Sequence, residues 1–155
     1  MGKQEEDMSA ANKFSGLWYC RYWYPSNDHP GEDISEYCAR IEPSGRQFVL
    51  HSLSDMGETK GAYMLARFSV DDTVVTGSWL ENTSPQGSFK GAMYSGVFQL
   101  LLDETATRIV GKWTGIGQEQ GKMQVYTGRW EIARMPEEDV AKRMRKQHKP
   151  VIHAQ

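Results

Sequence analysis

Apolar and polar side chains alternate along most of the chain between residues 14 and 135, and turn-forming residues cut that stretch into eight strand-like runs. The runs are Phe14–Tyr24, Glu36–Ile41, Gln47–Leu53, Ala62–Val70, Val74–Asn82, Phe89–Leu102, Arg108–Ile116 and Gln124–Arg134. Between them lie Pro43-Ser44-Gly45, Asp71-Asp72, Ser84-Pro85-Gln86-Gly87 and the Gly117–Gly121 stretch, all hairpin or loop material. Short connections make consecutive strands antiparallel neighbours. No helical period interrupts the series. The pattern predicts an all-β fold, an eight-stranded antiparallel up-and-down barrel, because closure removes exposed strand edges.

A second regularity lies on top of the alternation. Ser15-Gly16-Leu17-Trp18, Thr76-Gly77-Ser78-Trp79, Val110-Gly111-Lys112-Trp113 and Thr127-Gly128-Arg129-Trp130 repeat one motif, and Ser95-Gly96-Val97-Phe98 is a near-copy. Residues two apart on a strand share a face, so each glycine leaves room on the side to which the large ring points. A narrow barrel interior needs that alternation of small and large. Four tryptophans turned inward line a space suited to a flat or apolar small molecule.

After Met135 the pattern changes. Pro136 followed by Glu137, Glu138 and Asp139 is a helix start, and Lys142, Arg143, Arg145, Lys146 and Lys149 crowd its end. These cations complement the helix dipole or meet an acidic or nucleic-acid partner. The expected organisation is a disordered tail over 1–13, the barrel over 14–135, a short C-terminal helix over 136–149 and a tail over 150–155. At 155 residues this is one domain.

Eighteen basic and 20 acidic residues give a formal charge of −2, so no global field points to nucleic acid or a membrane surface. No apolar run approaches the roughly 20 residues of a membrane span. The polar, acidic N-terminus lacks the apolar core of a secretory signal, and Gly2 lacks the context for myristoylation, with glutamate at position 6. Cys20 shares the face of Trp18, whereas Cys38 belongs to the opposite face of its strand, so the two are expected as free thiols in a cytoplasmic protein. No His or Cys stands at metal-ligand spacing, and no metal or cofactor is expected.

Strand direction converts parity into geometry. The connections 42–46, 71–73 and 103–107 are tight and mark a closed end. The loops 25–35, 54–61, 83–88 and 117–123 are longer and mark an open one. At the closed end Trp18 and Arg134 share the interior, and a cation–π plug is expected there. Towards the open end the inward set is Tyr22, Tyr24, Trp79, Glu81, Thr83, Lys90, Ala92, Tyr94, Trp113, Gly115, Tyr126 and Trp130. Pairing Thr83 with Ser88 would set Glu81 directly opposite Lys90. That couple is either a polar anchor with acid/base potential or a solvated pair in a wet mouth. The candidate ligand-binding residues are Tyr22, Tyr24, Trp79, Glu81, Lys90, Tyr94, Trp113, Tyr126 and Trp130. His29, His51, His148 and His153 fall in a loop, on an outer face and in the tail.

The first-strand Gly-x-Trp and last-strand arginine resemble those of lipocalins and their relatives. The chain as a whole also resembles a barrel domain found C-terminal to helix-turn-helix modules in Xre-type transcriptional regulators of actinobacteria. The stretches that carry this are Phe14-Ser15-Gly16-Leu17-Trp18, Arg21-Tyr22, Tyr24, Thr76-Gly77-Ser78-Trp79, Glu81, Thr83, Lys90-Gly91-Ala92, Tyr94, Gln99-Leu100, Gly111-Lys112-Trp113 and Thr127-Gly128-Arg129-Trp130-Glu131. The resemblance implies effector binding. The helix-turn-helix itself has no counterpart in the 13 residues before the first strand, so direct DNA binding is not expected. A looser likeness to avidins, with their repeated Thr-Gly-x-aromatic, concerns architecture only. The expected function is a small-molecule-binding barrel, sensor or carrier, for an apolar or aromatic ligand. The alternative is a cofactor-independent isomerase or cyclase using the barrel as a chamber. A third reading is an interaction module using the rim or tail. Association into a homo-oligomer stays open.

Overall fold

A computed structural model describes residues 13–26, 28–53, 63–83, 91–119, 121–136, 138–139 and 142. Eight strands follow one another as β1 (Gly16–Pro25), β2 (Glu32–Ser44), β3 (Gln47–Ser52), β4 (Tyr63–Asp71), β5 (Val74–Asn82), β6 (Met93–Leu102), β7 (Arg108–Glu119) and β8 (Lys122–Arg134). Each pairs antiparallel with the next, and β1 pairs with β8 from Trp18↔Arg134 to Tyr22↔Trp130, closing the barrel. Of the expected C-terminal helix, a first turn is described, with the Asp139 N–H donating to the Pro136 carbonyl at 3.0 Å. The rest of that helix, and residues 1–12, lie outside the described residues. Among the described residues no helix is long and apolar enough to cross a membrane.

The glycine–aromatic motifs interlock between strands. Antiparallel β5 and β6 set Gly77 against Phe98 and Trp79 against Gly96. Likewise β7 and β8 set Gly111 against Trp130 and Trp113 against Gly128. The facing rings do not fill all of these gaps: at Gly77, Gly96 and Gly111 an added Cβ would meet the backbone of the strand on the other side, and of the four only Gly128 lies against its facing ring, that of Trp113.

The closed end is solid. Phe14 does not extend β1 but sits in a short helical turn, and its ring packs under the barrel on Phe48 at 5.1 Å and Phe68 at 5.8 Å. Trp18, Ile41, Leu50, Leu100 and Ile109 fill the space above it, almost wholly buried. The Trp18 indole N–H donates to the Phe14 carbonyl at 2.8 Å, and the Arg134 guanidinium lies 4.4 Å from its ring. Arg134 also donates to the carbonyls of Ser15 and Lys13. The expected cation–π plug is thus present, with Phe14 as its lower layer. Cys38 faces outward, yet Leu17, Leu53 and Met135 cover it; neither it nor buried Cys20 forms a disulfide.

The open end departs from expectation. The loop expected over 25–35 is shortened to the residues between Pro25 and Glu32, which pair with each other, so β2 begins at Glu32. The loop expected over 117–123 shrinks to a tight turn, with Glu119 paired to Lys122 and Gly121 at φ 77°. Both hairpins rise beyond the core, where water wets both faces. Main-chain pairing sustains them there, joined at the β1–β2 tip by the side-chain hydrogen bonds of Ser26 and His29, with no apolar pattern needed. Strands β7, β8, β1 and β2 together form the higher wall of the mouth. Residues 54–62 and 84–90 lie outside the described residues.

Candidate functional site

Inward-facing side chains change character halfway up the barrel. The rings of Trp79, Trp113 and Trp130 form a floor above the packed base. Trp79 and Trp113 meet edge to face at 5.6 Å, and Trp130 meets Phe98 the same way at 4.9 Å. Above them Tyr22, Tyr24, Glu81, Tyr94 and Tyr126 are only partly buried, although all point inward by strand parity. Glycine makes the wall thin where rings need room. A methyl group on Gly115 would lie 2.9 Å from Cη2 of Trp79, and one on Gly117 would lie 2.8 Å from Cδ1 of Tyr94 and 3.0 Å from Cε2 of Tyr126. The Trp113 indole N–H passes across Gly128 to the Trp23 carbonyl at 3.0 Å. That bond ties β7 to β1 just beyond the last ladder pair of β1 and β8.

Tyr22 is the centre of the polar group. Its hydroxyl donates across the barrel to the Glu81 carboxylate, its ring lies 5.6 Å from Tyr24 and 6.1 Å from Tyr37, and Trp130 is its direct neighbour on β8. Burial pushes the Glu81 carboxyl above its ordinary range, and the Tyr22 hydrogen bond pulls it part of the way back. Burial and then the Glu81 charge hold the Tyr22 hydroxyl well above the usual tyrosine range. Among the described residues the buried Trp130 Nε1 finds no hydrogen-bond partner, and the buried Tyr37 hydroxyl finds no oxygen or nitrogen acceptor and donates instead to the weakly accepting Cys20 sulfur. Orphaned buried donors are uncommon and mark places where another molecule's acceptor belongs.

The expected Glu81–Lys90 couple is not formed by the ladder. Glu81 lies opposite Tyr94, Asn82 opposite Met93, and the Thr83 backbone N–H and hydroxyl donate to the Ala92 carbonyl at 3.0 and 2.8 Å. The ladder therefore starts four positions later on β6 than a tight Ser84–Gly87 turn would place it. Turn composition suggests a turn but does not set its length. Ala92 belongs to the connection rather than to β6, and Lys90 lies outside the described residues. His29, at the tip of the β1–β2 hairpin, is exposed and bonded to the Pro30 carbonyl and to Asp33 at 2.8 Å.

Tyr37 joins the site although the sequence reading does not name it. It shares the inner face of β2 with Ala39 and Ile41, and that alternation is the signal that finds it. Trp23, the fifth tryptophan, faces outward. There the guanidinium groups of Arg21 and Arg129 lie 5.5 and 5.3 Å from its ring, and both arginines also bind the buried carboxylate of Glu131. Arg108 reaches the same carboxylate at 3.3 Å. Among the described residues no three His, Cys, Asp or Glu side chains are grouped to hold a metal ion. No protein-family model matches this chain, and no curated protein is significantly similar to it.

Glu81→Gln gives a direct check on the burial of this acid. Its folded-state pKa is raised, so folding opposes its ionisation. The penalty is absent at pH values below the ordinary glutamate range, where the acid is protonated folded or unfolded. It grows as pH rises through that range to the raised folded value. Glu81→Gln is therefore expected to unfold at a higher temperature than wild type at neutral pH, with the two curves converging towards about pH 4. A variant less stable at neutral pH would mean that the carboxylate is compensated.

Proposed function

We propose that this barrel binds a small, largely apolar or aromatic molecule between the tryptophan floor and the tyrosine walls, as a sensor or carrier in a reducing, cytoplasmic setting. One observation carries the reading: the closed half is filled by its own side chains, whereas the open half keeps Tyr22, Tyr24, Glu81, Tyr94 and Tyr126 partly exposed above a buried indole N–H, that of Trp130, without a partner among the described residues. A core that only had to pack would not leave Trp130 Nε1 unsatisfied and the Tyr37 hydroxyl with a thiol as its acceptor. The likeness to effector domains of Xre-type regulators supports the sensor branch, and two cysteines outside any disulfide fit the compartment.

A titration with an uncharged apolar dye, read by tryptophan quenching, tests this. Saturable binding is expected, with iodide quenching of the remaining exposed indoles reduced afterwards. Trp79→Ala, at the floor, is expected to weaken the dye at least about fivefold. It should cost less stability than emptying the Trp18 site, because a ring bordering open space makes fewer contacts. Trp130 is 2 % exposed and wedged on Phe98, so its truncation should resemble that of Trp18 instead. No dye binding, with Trp79→Ala as damaging as Trp18→Ala, would mean a barrel filled throughout.

The Tyr22–Glu81 hydrogen bond also favours a second reading, an isomerase or cyclase in which this couple moves a proton. Conversion of a bound ligand that is abolished by Glu81→Gln would distinguish it from a carrier.

A further inference from the structure

The walls specify more than a greasy cavity, and the ligand class they select rests on the binding reading above. Between the floor and the level of the Tyr24–Asp33 pair, Glu81 is the one acidic side chain on the inner face among the described residues. Asp33, higher on the same face, is engaged by His29. The inward guanidinium of Arg134 is at the opposite end, held against Trp18. Around Glu81 stand Tyr22, which donates to it, Tyr94, its neighbour on β6, Met64, its neighbour on β4, and Trp79, two residues away on the same face. Tyr37 is near enough for the Glu81 charge to oppose its ionisation.

Such a setting distinguishes sharply between ligands of different charge. Aromatic faces carry negative potential, and the half-buried Glu81 carboxylate adds negative charge, so an anionic ligand meets repulsion and loses hydration without compensation. An organic cation meets attraction from both, since ring faces bind ammonium groups best when water is excluded. It also supplies the countercharge that Glu81 lacks among the described residues. The Glu81 carboxylate, met by the Tyr22 hydroxyl and ringed by Tyr22, Tyr94 and Trp79, places the charged end of the ligand at this level and its apolar body towards the mouth. We propose that the ligand is an amine: an ammonium group seated against Glu81 and the tyrosine rings, on an aromatic or aliphatic body.

Calorimetric titration at about neutral pH with phenylbutylamine, phenylbutanol and phenylbutyrate separates charge from shape. The amine is expected to bind at least about tenfold more tightly than the alcohol, and the acid more weakly than either. Glu81→Gln is isosteric and keeps a partner for Tyr22, and it should abolish the preference of the amine over the alcohol. Alcohol binding as tight as amine binding, acid binding tighter than both, or a preference that survives Glu81→Gln would overturn the amine while leaving the binding barrel standing. Failure of all three probes together with the uncharged dye would overturn both.

Discussion

Trp18→Ala is expected to cost about 3–5 kcal/mol, the range for emptying a fully buried aromatic site. Trp18 has no exposed surface, and three elements converge on it. Its indole N–H holds the Phe14 carbonyl, which fixes the turn carrying the Phe14 ring under the barrel. Its face carries the Arg134 guanidinium, which in turn donates to the Ser15 carbonyl at 3.0 Å. Losing the ring removes apolar burial, frees the Phe14 carbonyl and leaves the cation above a hole. Arg134→Ala should be milder, about 1.5–3 kcal/mol, since it removes charged hydrogen bonds at a partly exposed position. The double variant should lose less than the sum, by about 0.5 kcal/mol or more, because the second change removes contacts already lost. Denaturant unfolding with an unchanged m-value measures all three. Strict additivity would show that the two side chains act separately.

The second large effect is at a glycine. Gly96→Ala is expected to destabilise by about 3 kcal/mol or more, at the top of the range for forcing atoms into a packed interior. The added methyl would overlap the Thr114 carbonyl oxygen and lie 2.7 Å from the Gly115 Cα. Both obstacles are backbone, and Gly96 faces Gly115 directly across the β6–β7 ladder, so no side chain can swing away. Gly45, at the β2–β3 turn, is the matched control. An alanine there meets nothing within 4 Å and bears only the cost of a left-handed conformation, φ 63°, about 1 kcal/mol. Thermal unfolding of the two variants ranks these costs. Equal losses would mean that β6 and β7 can move apart, and the close approach would not be a requirement of the barrel.

How far the site can be read from the chain depends on what sets each position. Parity alone places Trp79, Trp113 and Trp130 inward, and parity is robust because a slip of one residue would turn the whole apolar set of a strand to the other face. The same rule turns Glu81 inward. It does not supply the right neighbour, because the length of the 83–92 connection follows from where the ladder closes, which Ser84-Pro85-Gln86-Gly87 does not encode. The tall hairpins of β1–β2 and β7–β8 escape the pattern for a different reason. Glu32, Ser35, Gln118 and Lys122 look like loop residues, and the strands there are held by hydrogen bonds between main chains, to which composition is nearly blind.

The alternation, the turn residues and the repeated glycine–aromatic motifs determined the all-β class, the number and order of strands, the inner face of nearly every one and the Trp18–Arg134 plug. These are local or periodic properties, and each is written in neighbouring residues. Only the tertiary structure decided what lies against each glycine, that Phe14 turns beneath the barrel, that the Tyr22 hydroxyl meets Glu81 across it, and that the Trp130 indole N–H is left without a partner among the described residues. Those facts depend on strand register and on the distance across a closed barrel. Residues 59 apart in sequence become hydrogen-bonded neighbours there only once all eight strands have closed on one another.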